Sequence, residues 1–113
     1  MDFGEQFGEQ FDEQFAKLQI KEIPYGGLTL RPPMHCTDGS TFSIQASVVH
    51  YCSPKNNTGP YTHYEVGFPQ DAKGDALQEP LLAEYGDYPV YGYVPKDVIV
   101  QILENHGGLT NAH

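Results

Sequence analysis

Histidine and cysteine side chains in the middle of the sequence are the first candidates for chemistry. They are His35, Cys36, His50, Cys52 and His63. Imidazole and thiolate groups are the usual ligands of zinc, but an adjacent His-Cys pair followed by His-x-Cys matches no spacing of paired zinc ligands. If a metal did bind, the sequence would offer Cys36, His50, Cys52 and His63. We expect no metal site and no other cofactor.

Cys52 is also a candidate nucleophile, with His50 or His63 as the base and Glu65 as the group that orients the base. A reactive cysteine needs a lowered pKa, which a helix N-terminus or a neighbouring cation provides. The segment after Cys52 is Ser-Pro followed by an Asn-rich loop, so it offers no helix start. Because this means of lowering the pKa is missing, a small enzyme that depends on Cys52 is only an alternative hypothesis. The other interpretation is a buried thiol that packs as a small apolar side chain.

A β-hairpin around Asp38-Gly39 is the first element that would position these side chains, since Asp-Gly favours a tight hairpin turn. The strand that follows alternates between polar and apolar residues. Its predicted core face holds Phe42, Ile44, Ala46 and Val48, and continues to His50 and Cys52.

A second strand from Tyr61 to Phe68 is predicted to pair antiparallel with the first, across the loop from Ser53 to Pro60. Its predicted core face holds Thr62, Tyr64, Val66 and Phe68. Its predicted outer face holds Tyr61, His63, Glu65 and Gly67. Pro69 is expected to end this strand.

The C-terminal third predicts a strand over Val90–Val94 and a helix over Lys96–His106, which Gly107-Gly108 would close. The expected fold class is α+β. It would contain a single antiparallel sheet of about four or five strands, with the C-terminal helix packed on one face and an amphipathic helix at the N-terminus.

The N-terminal segment repeats a tetrapeptide that begins with Phe3, Phe7, Phe11 and Phe15. Residues four apart lie on one face of a helix, so the pattern predicts an apolar stripe. We expect residues 1–23 to form this helix and residues 24–113 to form a single α+β domain. The stripe either packs on its own domain or contacts another chain, as in a homodimer or a self-associating structural component.

The composition of the chain limits the classes of partner that it can bind. The net charge of −9, from 15 acidic and 6 basic residues, argues against direct binding to nucleic acid. No apolar run is long enough to span a membrane, and no basic N-terminal region resembles a signal peptide, so we expect a cytoplasmic protein. Seven of the eight tyrosines lie between residues 51 and 93. They favour either a contact surface, because tyrosine is enriched at interfaces, or packing within the sheet and its core. The predicted contact residues are Tyr51, Tyr61, His63, Glu65, Phe3, Phe7, Phe11 and Phe15.

Several short motifs between residues 34 and 108 resemble those of a family of small uncharacterised proteins encoded by bacteriophages and prophages. The motifs are YCSP (51–54), GPYT (59–62), EVGFP (65–69), VYGYVP (90–95) and HGG (106–108). The resemblance implies a non-enzymatic phage accessory protein in the cytoplasm of a bacterial host. Such a protein would bind and inhibit a host protein of the defence or nucleic-acid-handling machinery. The resemblance implies no catalytic residue.

Overall fold

The chain forms an α+β domain, as the sequence predicts. The computed structural model describes the backbone of residues 3–18, 21–23 and 28–110, and the side chains of residues 8–18 and 30–110. The helices are α1 (Phe3–Lys17), a 3-10 helix (Pro80–Tyr85) and α2 (Lys96–Asn105). The strands are β1 (Lys21–Ile23), β2 (Leu28–Leu30), β3 (Met34–His35), β4 (Thr41–Gln45), β5 (His63–Gln70), β6 (Gly86–Asp87) and β7 (Val90–Pro95).

Five of the strands form a single antiparallel sheet in the order β3-β4-β5-β7-β6, while β1 and β2 form a separate two-stranded ribbon. The long central strand β5 pairs with β4 on one side and with β7 on the other. Both edge strands of the five-stranded sheet contain only two residues. Short edges offer little unpaired backbone to another chain, so β-strand addition is a poor way to bind this sheet.

The predicted hairpin at Asp38-Gly39 is confirmed. It joins β3 to β4, and Gly39 has a φ of 91°, which a residue with a side chain rarely adopts. The carboxylate oxygen Oδ1 of Asp38 accepts hydrogen bonds from the backbone N–H of Ser40 at 2.9 Å and from its hydroxyl at 2.6 Å. The turn is therefore fixed by the local chemistry of its own residues.

Strand β4 is shorter than the alternation predicts. It ends at Gln45, and the chain then leaves the sheet in a series of bends. Ala46, His50 and Cys52 are buried as expected, but Val48 is 41% exposed, so its predicted place in the core is wrong. Beyond the last ladder residue, side chains are no longer forced to alternate between two faces.

A bulge in β5 overturns the predicted face of Phe68. Thr41 pairs with Gln70 and Ser43 pairs with Gly67, so Phe68 and Pro69 together oppose a single residue of β4. Phe68 takes a left-handed conformation with a φ of 49° and is exposed, while Pro69 is buried. The extra residue resets the alternation, and the strand continues through Pro69 to Gln70 instead of ending there.

A second bulge resets the alternation of faces in β7. Tyr64 pairs with Val94 and Val66 pairs with Tyr91, so Gly92 and Tyr93 together oppose Glu65. Tyr93 has a φ of 53° and is exposed, whereas Tyr91 and Val94 are both buried. Strict alternation would bury only one of Tyr91 and Val94, so the bulge lets β7 contribute both to the core.

Helix α1 packs on its own domain and ends at Lys17, so the prediction that this helix extends to residue 23 is wrong: Lys21–Ile23 form strand β1. Phe11 and Phe15 are buried, and their rings meet the ring of Tyr64 with centroid distances of 5.2 and 5.1 Å. The guanidinium of Arg31 lies 4.1 Å from the ring centre of Phe15. The prediction that Phe11 and Phe15 form an intermolecular surface is therefore wrong, because the core of the same chain covers both rings. The side chains of Phe3 and Phe7 lie outside the described residues.

Helix α2 packs against α1 and the sheet, with Ile99, Val100, Ile102 and Leu103 buried. It ends as predicted at Gly107-Gly108, both of which have positive φ. The N–H of Gly108 donates to the carbonyl of Leu103 at 2.8 Å, and that of Gly107 donates to the carbonyl of Glu104 at 3.0 Å. These two bonds form a Schellman cap, which satisfies carbonyls at the end of the helix.

We predict that Phe11→Ala lowers the free energy of unfolding by about 3–5 kcal/mol, since it empties a filled core position. Glu13→Ala on the exposed side of the same helix is the control and should change it by less than about 0.5 kcal/mol. Urea unfolding followed by circular dichroism measures both values. Equal stability of the two variants would contradict the packing of α1.

We predict opposite effects of glycine at two exposed strand positions. At Phe68, glycine should be more stable than alanine by about 0.5–1 kcal/mol, because the strain of a left-handed residue outweighs the extra freedom that glycine loses on folding. At Val90, which is exposed and lacks a positive φ, alanine should be the more stable by a similar amount. Denaturant unfolding of the four variants checks this, and the same sign at both positions would exclude the bulge in β5.

Candidate functional site

The candidate nucleophile Cys52 is a buried thiol. It is 1% exposed, and its Sγ lies 3.1 Å from the carbonyl oxygen of Ser47 and 3.5 Å from that of Pro54, so the S–H has acceptors within the chain. His50 does not serve it, because the Nδ1 of His50 is 2.6 Å from the hydroxyl of Ser47. The structure therefore does not assemble the predicted Cys52–His50 pair.

Ser47, His50 and Glu65 form a line that resembles a serine hydrolase triad in residue type. The geometry does not support that chemistry. Ser47 is 0% exposed, and Nε2 of His50 is 3.9 Å from Oε2 of Glu65, which is too long for a hydrogen bond. Burial lowers the pKa of His50, which favours the neutral ring, and the Ser47 contact fixes the segment between β4 and β5.

The other cysteine and histidine candidates are also dispersed. Cys36 is buried, and burial raises the pKa of its thiol to about 11. His35 is exposed at the end of β3, and the Nδ1 of His63 lies 2.8 Å from the hydroxyl of its neighbour Thr62. Among the residues that the structure describes, no three or more His, Cys, Asp or Glu side chains are grouped to hold a metal ion.

The most distinctive exposed feature is an aromatic pair on the outer face of the sheet. Tyr51 is 54% exposed and Tyr93 is 44% exposed, and their ring centroids are 6.0 Å apart. The ammonium of Lys55 lies 5.5 Å from the ring centre of Tyr51 and 5.9 Å from that of Tyr93, within the range of a cation–π contact. We call these three residues, Tyr51, Lys55 and Tyr93, the outer aromatic surface.

Backbone contacts fix the outer aromatic surface. The N–H of Tyr93 donates to the carbonyl of Tyr51 at 2.9 Å, and the N–H of Tyr51 donates to Oε1 of Glu65 at 3.4 Å. A Cβ on Gly92 would lie 2.9 Å from the Cβ of Tyr51, so glycine is required for this close approach. The backbones that carry the two rings are thus held side by side by contacts within the chain.

The predicted contact residues divide between the two sides of the sheet. The backbone N–H of Tyr51 contacts the carboxylate of Glu65, and His63 is half-buried on the same strand as Glu65. Tyr61 does not join them, because its ring packs against Phe15 and Tyr64 at 6.0 and 5.8 Å. The sequence did not single out Lys55 or Tyr93; the small residue Gly92 beside Tyr93 is the one local signal of a close approach.

A second polar cluster, which the sequence did not indicate, surrounds His106 at the end of α2. Nδ1 of His106 lies 2.6 Å from Oδ2 of Asp38, and Nε2 lies 3.0 Å from Oε2 of Glu79. A neutral imidazole carries a single N–H, so a ring that donates to two carboxylates is the protonated form. This charged clamp joins the β3–β4 turn, the end of α2 and the segment before the 3-10 helix.

The pKa values of the clamp follow from these contacts. Burial acts to lower the pKa of His106, but the hydrogen bonds and charges of Glu79 and Asp38 outweigh it and raise the pKa. For Asp38, burial likewise acts to raise the pKa, but the hydrogen bonds from Ser40 and the contact with His106 lower it. At weakly acidic pH, His106 is therefore positively charged and Asp38 is negatively charged.

Comparisons of the chain with protein-family models, with curated proteins and with solved structures gave no match. None of the helices in the described ranges is long and apolar enough to cross a bilayer.

We predict that the clamp makes stability depend on pH. A raised pKa of His106 stabilises the fold below the unfolded value of 6.5, and this contribution is lost as the pH rises through the folded pKa. The lowered pKa of Asp38 stabilises above its unfolded value of 3.8, and that contribution is lost as the pH falls through the folded pKa. Between about pH 4 and 6.5, His106→Gln should cost about 1–2 kcal/mol, after allowance for the exposure of Asp38.

The test is urea unfolding of the wild type and of His106→Gln between pH 5 and pH 9. The difference between the two proteins should shrink toward the alkaline end. The lowered pKa of His50 has the opposite sign, since it favours the fold as the pH rises, but it is present in both proteins and cancels in the difference. A difference that does not change with pH would contradict a charged His106.

Proposed function

We propose that the protein is a non-enzymatic binding protein whose main contact surface is the outer aromatic surface. We base this proposal on the exposed pair of Tyr51 and Tyr93, whose backbones are fixed beside each other, and on Lys55, which lies beside both rings. Rigid tyrosines bind with little loss of conformational freedom, and their hydroxyl groups tolerate the solvent at the edge of an interface.

The backbone at Tyr93 also supports the proposal. A left-handed residue with a Cβ costs roughly 1–2 kcal/mol, and here it turns a large ring toward solvent. The fold gains Val94 in the core from the bulge, but it does not need an aromatic side chain at Tyr93 for that purpose. Strained residues cluster at binding sites, and at Tyr93 a second exposed ring and an ammonium group lie beside the strained residue, which distinguishes it from the strained residue Phe68.

The resemblance of the YCSP, GPYT, EVGFP, VYGYVP and HGG motifs to phage and prophage proteins gives the proposal its context. The protein would act in the cytoplasm of an infected bacterium, where it binds and inhibits a host protein of the defence or nucleic-acid-handling machinery. The net charge of −9 favours a partner with a basic surface and disfavours direct contact with nucleic acid.

The two alternative functions have less support. A Cys52-dependent enzyme would need an accessible thiol with an adjacent base, whereas Cys52 is buried and His50 contacts Ser47. A self-associating component would use the phenylalanine stripe, yet Phe11 and Phe15 lie in the core of their own chain.

The proposal is tested by capture of a partner followed by measurement with purified proteins. Immobilised protein is incubated with a bacterial lysate, the partner is identified and purified, and its dissociation constant is measured for the wild type and for Tyr93→Asn. Asparagine tolerates the left-handed backbone, so this variant removes the ring without disturbing the bulge. We expect binding to weaken about tenfold or more, as for an aromatic hot spot.

Phe68→Asn is the matched control, because it makes the same replacement at the other left-handed position of the sheet. It should change the dissociation constant by less than about threefold, the effect of a contact at the rim. Equal effects of the two substitutions would show that the outer aromatic surface is not the contact. The absence of a partner at micromolar concentrations would count against the binding function itself.

A further inference from the structure

A cavity of about 210 Å³ opens between the 3-10 helix and the β6–β7 hairpin. Two carboxylates and two tyrosines lie among its lining residues, together with small residues that leave the space open. These residues are Glu79, Asp87, Tyr88, Tyr91, Ala83 and Gly86. None of the lining residues is basic, so the cavity has acceptors and aromatic rings but no cation of its own.

The charges around the cavity do not cancel. Glu79 is largely buried and shares the single positive charge of His106 with Asp38, so this clamp retains one negative charge in excess. Asp87 also lines the cavity, is exposed, and adds a second negative charge. The pKa of Tyr91 is raised, first by burial and then by Asp87 and Tyr88, which agrees with a negative environment around its hydroxyl.

We propose that this cavity receives an arginine side chain of the protein partner, an inference that rests on the proposed binding function. A guanidinium is planar, so it stacks on a tyrosine ring and donates two parallel hydrogen bonds to one carboxylate. An anion would meet only like charges in the cavity. A purely apolar group would remove the carboxylates from water without giving them a hydrogen bond.

The net charge of the chain agrees with this occupant. Of the six basic residues, Arg31 is buried and donates to the carbonyl of Ala46, and Lys96 is paired with Asp12. Lys55 belongs to the outer aromatic surface, and the lining of the cavity, as the structure describes it, contains no basic residue that would repel an arginine. The cavity and the outer aromatic surface would then contribute differently to binding. The surface provides contact area, and the cavity selects the charge of the partner.

The test uses the whole protein, labelled with nitrogen-15, and a capped tripeptide probe, acetyl-Gly-Arg-Gly-amide. Its citrulline counterpart has the same shape without the charge. We expect the arginine peptide to shift the amide resonances of Ala83, Gly86 and Asp87, and the citrulline peptide to shift them far less at equal concentration. Asp87→Asn should weaken the arginine peptide about threefold, as expected for one partly exposed ion pair.

Asp75→Asn is the matched control, since it removes the same charge from an exposed turn that does not line the cavity. It should leave the affinity unchanged. The proposal is overturned if the arginine peptide causes no shifts, if citrulline binds equally well, or if both Asp variants weaken binding alike, because the attraction would then be that of the general acidic surface.

Failure of this inference can be separated from failure of the proposed function. If the peptide does not bind but Tyr93→Asn still loses the captured partner, only the arginine cavity is wrong. If the peptide binds at the cavity and no partner is captured, the cavity recognises a basic side chain and the proposed binding function is wrong.

Discussion

The two extra residues in β5 and β7 are the constraint on which this fold depends. In a regular strand, side chains alternate between two faces, so adjacent residues cannot both enter the core. Each bulge adds one residue and shifts the alternation by one position. Pro69 and Val94 therefore enter the core, while Phe68 and Tyr93 point outward. Full burial of a valine is worth about 1.5–3 kcal/mol, which outweighs the roughly 1–2 kcal/mol cost of one left-handed residue.

The two faces of the sheet differ as a result. The inner face is covered by α1 and α2, and the edge-to-face rings of Phe11, Phe15 and Tyr64 fill the space between helix and sheet. On the outer face, Tyr93 is exposed, while Glu65 and Gly92 are in contact with Tyr51. Tyr51 reaches this face because the segment from Ala46 to Cys52 folds back, held by the Ser47–His50 contact and by the buried thiol of Cys52.

Elements with strong local chemistry could be predicted from the sequence. The Asp38-Gly39 turn, helix α2 and the Gly107-Gly108 cap need only the preferences of their own residues. The exposed positions of Phe68 and Val48 could not be predicted, because both follow an apolar alternation that a bulge or a strand end interrupts. No local pattern marks either interruption.

At the candidate sites, the contacts between distant segments of the chain could not be predicted from the sequence either. His106 reaches Asp38 and Glu79 across 68 and 27 positions of the sequence, so no motif signals the clamp. His50 and Cys52 are near neighbours and do share the buried side, but their partners are set by the turn at Ser47. Sequence proximity therefore indicated which groups are buried together and not which atoms they would contact.

The bulges bring Tyr93 beside Tyr51 on the outer face of the sheet, while Tyr64 and Tyr91 remain in the core. Photochemically induced dynamic nuclear polarisation tests it directly, because only tyrosines that a dissolved dye can touch give enhanced signals. We expect strong enhancement for Tyr51 and Tyr93 and none for Tyr64 and Tyr91. A silent Tyr93, as expected for a regular β7 strand that buries this ring, would contradict it.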